Sequence, residues 1–190
     1  MRKFSIRPAL TLRGRTFKGL RGWAGKPLHP PLTDIPVGAY LFAAVFDLLS
    51  FLTRNRESDL PTELYRAATW VLIGGAAVSL LATLTGWADW HRSSQPGTQA
   101  RRTINAHAGI MILTTLMVVT NLVLRLGPGD GEPKVPAICL LLSLVAAAFV
   151  SVGSTFGGSL IFDYGFNVET AGDHPVWHES ETDVFPGDKK

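Results

Sequence analysis

Four long apolar stretches alternate with short polar connections along the chain. They run from about Ile35 to Leu52, Ala67 to Trp90, Ile104 to Leu126 and Pro136 to Phe162. Each approaches or exceeds the roughly 18–20 apolar residues that a helix needs to cross about 30 Å of hydrocarbon. The pattern predicts four transmembrane helices and excludes a soluble enzyme built around one aqueous core.

The connections between the stretches are short and polar. The first holds mixed charge between Arg54 and Arg66, the second runs from His91 to Arg102, and the third contains the turn sequence Gly127-Pro128-Gly129-Asp130-Gly131. Because short connections make sequential helices antiparallel, the sequence predicts an all-α integral membrane protein with an antiparallel four-helix transmembrane bundle. The predicted parts are a basic arm, the bundle and an acidic tail, at residues 1–34, 35–166 and 167–190, with spans at about 35–52, 67–90, 104–126 and 136–162.

Positive charge is concentrated at one end of the sequence. The net charge of +3 hides an arm, residues 1–33, that carries eight Lys or Arg and no acid. With both termini on one side, that side has 13 Lys or Arg and the other side has 5, so the positive-inside rule predicts a plasma-membrane protein with both termini cytoplasmic. We expect the arm to lie on anionic lipid. The alternative for such a segment is an organelle transit peptide.

Several other classes of function lack their sequence signals. Cys139 is the single cysteine, which excludes an intrachain disulfide and a cluster bound by several thiolates. Motifs typical of nucleotide hydrolases, lipase-type hydrolases and zincin proteases are absent from the sequence, which disfavours an enzyme without deciding the question. The basic arm adjoins a membrane span, so we expect lipid phosphate as its polyanion and no nucleic acid.

One carboxylate lies within the first span. Asp47 is about eleven residues beyond Pro36, hence roughly 16 Å along a helix from it. An ionisable group at that depth should face the bundle interior and be protonated or partnered, and the candidate partners are Asn121, Ser79 and Thr83. Asp47 is then a proton or ion relay, an acceptor for the polar edge of a cofactor, or a hydrogen bond that fixes helix packing.

The predicted topology brings two histidines to the cytoplasmic mouth of the bundle. His29 precedes the first span and His107 opens the third, so both should lie at similar depth. Two neutral histidines that face each other across a bundle core can bind haem iron, and the small residues of the second and fourth spans could leave room for the ring. The alternative for His29 is a helix cap or a residue among lipid headgroups.

Further polar and aromatic residues fall at the same mouth. Asp89 closes the second span, where a carboxylate is unfavourable next to the helix C-terminus, so we expect it to pair with Arg92, Arg101 or Arg102. Trp87 and Trp90 are typical of an aromatic belt at the membrane surface. In the tail, His174 and His178 have the spacing of a divalent-metal pair on a short helix, or are simply solvated.

These residues carry a resemblance to a known family. The motifs are His29-Pro30-x-Leu32, Ile35-Pro36-x-Gly38 followed by Asp47, then Leu84-Thr85-Gly86-x-x-Asp89, and Gly157-Gly158-x-Leu160-Ile161-x-x-x-Gly165-x-x-Val168. Their order and spacing resemble the bacterial four-span membrane family catalogued as domain of unknown function 2231, over about residues 28–168. Members are commonly the membrane half of proteins that carry a Rieske iron–sulfur domain, so the resemblance implies a redox neighbourhood. The chain departs from the family in having no Rieske ligands and in having Asp163-Tyr164 before Gly165, where the family often has a basic residue or histidine.

Three hypotheses of function follow. The first is a membrane module of an electron-transfer system, with haem b or a quinone at the cytoplasmic rim and His29, His107, Asp47 and Asp89 as the binding residues, the two histidines being the iron ligands. The second is a non-catalytic scaffold that anchors a redox or other partner subunit. The third is a proton or ion pathway through Asp47, although the internal repeats and broken helices typical of transporters are not evident in the sequence.

Overall fold

The computed structural model describes residues 19–20, 27–127 and 134–168, and four α-helices make up most of them. The helices are α1 (His29–Leu52), α2 (Leu60–Ser93), α3 (Gln99–Leu126) and α4 (Ala137–Phe162). All four are long and apolar enough to cross a membrane. Within the described ranges the all-helical membrane fold is confirmed. Of the predicted arm, only residues 19–20 and 27–34 lie within these ranges. The tail histidines, His174 and His178, lie outside them.

The helices extend beyond the apolar stretches, chiefly at one end of the bundle. The α1 helix begins at His29 rather than near Ile35, with proline at its first positions, where the missing N–H has no intrahelical partner to lose. Pro36 therefore lies inside the helix. Hydropathy marks only the part of a helix that lies in hydrocarbon, whereas helical hydrogen bonding continues into the polar flanks. The expectation that His29 precedes the first helix is corrected: it is the first helical residue.

The four helices pack in a ring that is made from two helical hairpins. Along α1 and α2 the contacts run in opposite directions, from Ser50 Oγ with Pro61 O (2.7 Å) to Tyr40 with Ser79 and then to His29 with Ala82. The same holds for α3 and α4, which form the second hairpin. The hairpins meet through α1 against α4 and α2 against α3. We call the end with His29, Ser93, Gln99 and Phe162 the histidine end, and the opposite end the arginine end.

Small and polar residues form the helix faces that meet inside the bundle. In α1 the buried residues include Tyr40, Ala43, Ala44, Asp47 and Ser50, and in α3 they include Thr114, Val118 and Asn121. In α4 they include Ser143, Ala146, Val150 and Gly153. Thr83 of α2 and Ser151 of α4 point outward.

The outer surface of the bundle is suited to lipid. Many Leu, Val, Ile and Phe side chains are exposed along all four helices. Trp70 and Trp87 are 73% and 63% exposed and lie 17 residues apart on α2, about 25 Å along its axis. Exposed tryptophans at this spacing are typical of the two membrane–water interfaces.

The two hairpins are structural counterparts of each other. Buried positions of α1 recur in α3 at a constant offset of 78 residues, as in Pro36 with Thr114, Tyr40 with Val118, and Asp47 with Arg125. Buried positions of α2 recur in α4 at an offset of 71 residues, as in Leu72 with Ser143 and Ala82 with Gly153. Both hairpins begin at the histidine end, so they form a parallel repeat. The sequence reading missed this repeat, because few of the paired residues are identical.

Candidate functional site

His29 lies between the two helices of the first hairpin. Its Nδ1 is 2.9 Å from the carbonyl oxygen of Ala82 and 3.2 Å from Thr85 Oγ1. A carbonyl can only accept, so Nδ1 carries the proton and donates it to Ala82. Gly86 provides the space for the ring, since a Cβ at that position would lie 2.7 Å from His29 Cε1. Local backbone contacts thus fix both the position and the tautomer of His29.

His107 has an equivalent seat in the second hairpin. Its Nδ1 is 2.8 Å from the carbonyl oxygen of Gly153, and a Cβ at Gly157 would lie 3.3 Å from its Cε1. In both hairpins the accepting carbonyl lies four residues before the glycine that makes room, at Ala82 with Gly86 and at Gly153 with Gly157. His29 and His107 are themselves related by the offset of 78 residues. The two histidines are therefore the same position of the repeat.

The two imidazoles lie close together inside the bundle in a T-shaped arrangement. Their ring centroids are 6.4 Å apart and their planes are nearly perpendicular, at 88°. Both rings are partly buried. Among the described residues, the hydrogen bonds of both rings are made through Nδ1. The Nε2 atoms are then the nitrogens whose lone pairs remain for another bond.

Asp89 lies three residues beyond Gly86 and is buried. Its Oδ1 accepts a hydrogen bond from the backbone N–H of Leu20 at 3.2 Å, and Leu20 O accepts one from Leu28 N at 3.0 Å. Asp89 thus ties residues 19–20 to the start of α1 and the end of α2. The predicted pairing with Arg92, Arg101 or Arg102 is not found among the described residues, because α2 continues to Ser93 and turns Asp89 inward.

Arg101 and Arg102, in the first turn of α3, instead hold the connection between α2 and α3 in place. Arg101 lies over the ring of Trp90 at 3.6 Å and donates to Trp90 O at 2.9 Å. Trp90 Nε1 donates to Asn105 Oδ1 at 2.8 Å, and Arg102 bonds to Gln99. The exposed Trp87 stacks on His91, with centroids 5.9 Å apart. These contacts fix the positions of Trp87 and Trp90 at the histidine end.

A second polar cluster lies at the arginine end and involves all four helices. Arg125 is 3% exposed and its guanidinium forms an ion pair with Asp47 Oδ2. The guanidinium also donates to Asn121 Oδ1 at 2.9 Å and to Thr69 Oγ1 at 3.0 Å, and it lies over the ring of Tyr65 at 4.7 Å. Ser143 Oγ donates to Asp47 Oδ2 at 2.6 Å. This network joins α1 through Asp47, α2 through Thr69, α3 through Arg125 and α4 through Ser143.

The partners of Asp47 differ from the predicted ones. Asn121 belongs to the network but contacts Arg125 and Ser143 rather than Asp47. Ser79 shares a hydrogen bond of 2.5 Å with Tyr40, and Thr83 donates to the backbone of Ser79, so neither partners Asp47. Asp47 Oδ1 is buried and has no hydrogen-bond partner among the described residues. Because protonation of Asp47 would leave the buried Arg125 charge unpaired, the pair is poorly suited to a proton relay.

The predicted site residues therefore divide between the two ends. The structure brings His29 and His107 together, and Asp89 lies at the same end of the bundle, three residues beyond Gly86. Asp47 lies 18 residues along α1 from His29, about 27 Å away along the helix axis. In the described part of the chain, no group of three or more His, Cys, Asp and Glu side chains could hold a metal ion.

Arg125 is the important residue that the sequence reading missed. It lies one residue from the end of the third span, so the charge count for the membrane orientation includes it with the loop that follows. A signal was present in the sequence: Asp47 follows His29 by 18 residues, and Arg125 follows His107 by 18 residues. Cys139 is buried in a small apolar cluster with Tyr65 and Val135.

The comparisons with known proteins concern the whole four-helix unit. No curated protein and no solved structure matches the chain. One family model, described as Predicted membrane protein (DUF2231), matches residues 25–170, which include all four helices. The match covers well over half of the 190 residues. The chain therefore belongs to the DUF2231 family of predicted membrane proteins.

Proposed function

We propose that this membrane protein binds one haem between His29 and His107 and carries single electrons at the histidine end of the bundle. The observation that carries the proposal is the 6.4 Å between the two ring centroids. Two imidazoles on opposite sides of one metal ion, each with a bond of about 2.0–2.1 Å and a ring centre roughly 1 Å beyond the nitrogen, have centres about 6 Å apart. Tetrahedral ligation would bring the two rings closer together.

The hydrogen bonds of the two rings support the same proposal. A histidine that ligates a metal through one nitrogen usually donates its other N–H to a carbonyl or carboxylate, which fixes the tautomer and orients the ring. His29 and His107 both donate Nδ1–H to a backbone carbonyl, at Ala82 and Gly153. The protein therefore holds both imidazoles in the protonation state that ligation through Nε2 requires.

The absence of side chains at Gly86 and Gly157 lets the two imidazoles seat close against the backbones of α2 and α4. An attachment through thioether bonds is excluded by the single cysteine, Cys139, which is buried at the other end of the bundle. The haem would thus be of the non-covalent b type.

Haem iron supplies one-electron redox chemistry when it is bound. If His29 and His107 both bound the iron, the protein would leave it no free position for oxygen or a substrate, and this would favour electron transfer. The residues of this chain orient the two imidazoles through the carbonyls of Ala82 and Gly153 and tie residues 19–20 to the mouth through Asp89. An electron donor or acceptor would approach at this end of the bundle.

A haemin titration tests the proposal directly. Purified protein in detergent is titrated with haemin, and we expect saturation at one haem per chain with a spectrum typical of six-coordinate iron. His29→Ala and His107→Ala should each abolish that spectrum. The matched control is His91→Ala, because His91 is exposed and stacks on Trp87 outside the pair. Absence of haem binding by the wild-type chain, or equal loss in the His91 control, would overturn the proposal and leave the pair as an edge-to-face aromatic contact.

The orientation in the plasma membrane is proposed on charge alone. The burial of Arg125 removes one of the five Lys and Arg assigned to the arginine side, which leaves four against 13. This stronger asymmetry supports a cytoplasmic histidine end. An impermeant thiol reagent applied to whole cells should label Arg56→Cys, which lies in the connection at the arginine end. Labelling only after cell lysis would contradict the proposed orientation and indicate the opposite one.

A further inference from the structure

The repeat relates the two hairpins position by position at their contact surface. Tyr40 and Val118, Ala43 and Asn121, and Asp47 and Arg125 are counterparts, and all six are buried. Each hairpin therefore presents its buried residues in the same spatial pattern. A hairpin from a second copy of the chain has the pattern needed to replace the partner hairpin.

Asp47 and Arg125 are the counterparts that differ most in charge. They are 0% and 3% exposed, and they meet directly between the hairpins. When the first hairpin pairs with the second, the two charges neutralise each other. If two first hairpins from different copies paired, two Asp47 carboxylates would meet in the interior, and two second hairpins would bring two Arg125 guanidiniums together.

We infer that the Asp47–Arg125 pair selects the partner of each hairpin: it permits pairing of the first hairpin with the second and rejects pairing of like hairpins from two copies of the chain. Like charges in a medium of low dielectric constant repel strongly, and the interior of the bundle lacks the water that would screen this repulsion. A buried polar pair at one contact position is a known device for fixing partner and register.

The surrounding network favours selection over simple stabilisation. Replacement of a complete buried ion pair by apolar residues of similar size is often neutral or stabilising, whereas loss of one partner is strongly destabilising. Asp47 Oδ1 has no hydrogen-bond partner among the described residues, so one oxygen of the buried carboxylate is left without a compensating hydrogen bond. Ser143 Oγ donates to Asp47 Oδ2, the same oxygen that pairs with Arg125, and Thr69 accepts a hydrogen bond from Arg125. This inference does not depend on haem binding.

The test uses the full-length chain in two differently tagged copies that are expressed together. One tag is used for purification in mild detergent, and the second tag is then quantified in the purified material. The double variant Asp47→Leu/Arg125→Met removes both charges and keeps apolar volume. We expect it to fold and to capture at least ten times more of the second copy than the wild-type chain does. The control Glu63→Gln/Arg66→Gln removes an exposed ion pair on α2 and should behave like the wild type.

A second neutral pair keeps the test decisive. Asp47→Asn/Arg125→Gln retains hydrogen bonding without charge and should show the same increase in mixing. The inference is overturned if neither double variant mixes more than the wild type, or if the exposed-pair control mixes as much as they do. It is also overturned if both double variants fail to fold while the control folds, because the ion pair would then serve stability and not partner choice.

Discussion

Each end of the bundle holds one pair of residues that are counterparts in the repeat, and the two pairs differ in their chemistry. At the histidine end two identical neutral rings face each other, and each ring is held by a backbone carbonyl of its own hairpin. At the arginine end two opposite charges meet directly, and their partners are side chains from all four helices. Loss of one histidine leaves no buried charge behind, whereas loss of Asp47 or Arg125 does. A change at the histidine end therefore leaves the pairing of the hairpins electrostatically intact, whereas a change of one charge at the arginine end does not.

The largest expected effect comes from Arg125→Met. This change leaves the Asp47 carboxylate buried without its counter-charge, and breaking a buried pair in this way costs about 3–5 kcal/mol. We expect a large loss of folded protein, measured as monodisperse yield and thermal midpoint in detergent. Arg66→Met is the matched control, because that arginine pairs with Glu63 at the surface and should contribute at most about 1 kcal/mol. Similar midpoints for the two variants would contradict the division between the ends.

The next largest effect is expected from Gly86→Ala at the histidine end. The new Cβ would lie 2.7 Å from His29 Cε1 and 3.1 Å from Nδ1, so the ring must leave its bond to Ala82. Overpacking of this kind costs about 1–3 kcal/mol. The free energy of haemin binding should change more than the free energy of unfolding, because the displaced ring is one of the two proposed ligands.

Two other glycines serve as controls for Gly86→Ala. Gly157→Ala introduces only a 3.3 Å approach to His107 and should have a smaller effect in the same direction. Gly74→Ala meets no atom within 4 Å and should be neutral or slightly stabilising, since alanine is favoured over glycine in a helix by up to about 1 kcal/mol. A Gly74→Ala effect as large as that of Gly86→Ala would show that the contact with His29 is not the cause.

A smaller effect is expected from Tyr40→Phe between the two ends. Tyr40 and Ser79 share a buried hydrogen bond of 2.5 Å within the first hairpin. Its loss should cost about 0.5–1.5 kcal/mol and lower the thermal midpoint without changing haemin binding. Ser79→Ala should give a similar decrease, and the double variant should not add the two effects. Full additivity in this double-mutant cycle would mean that the two hydroxyls do not interact.

The smallest effect on the whole fold is expected from Asp89→Ala. The variant removes the acceptor for Leu20 N–H, a contact outside the helix pairs. Hydrogen exchange at Leu20 and Leu28 should become faster, while the thermal midpoint stays close to that of the wild type. Asp34→Ala is the control, because Asp34 is exposed on α1. Unchanged exchange at Leu20 in Asp89→Ala would remove the tie between residues 19–20 and the bundle.

The sequence was sufficient to predict the membrane fold but only part of the site. Hydropathy identified four spans because lipid imposes long apolar helices. It could not place the helix starts, since the turn from His29 to Asp34 is polar and yet helical. The depth argument placed His29 and His107 at one end, but their hydrogen bonds to Ala82 and Gly153 involve backbone atoms, which carry no residue-specific signal.

The arginine end was harder to predict from the sequence. Arg125 is a charged residue next to a glycine-rich turn, which is typical of a loop. Its burial depends on how α3 is rotated against the three other helices, and this rotation cannot be read from the sequence. The repeat that relates it to Asp47 is hidden because most counterparts differ in residue type. His29 with His107 and Gly86 with Gly157 are counterparts that kept the same residue, and they form the proposed haem site.

The central claim is that the histidine end binds haem through His29 and His107. The most direct measurement is the reduced-minus-oxidised absorption spectrum of the purified wild-type protein after incubation with haemin and removal of the excess. The account predicts one haem per chain with the sharp reduced bands of a low-spin, six-coordinate haem. A chain that retains no haem after this treatment, or one whose iron is five-coordinate, would contradict the account.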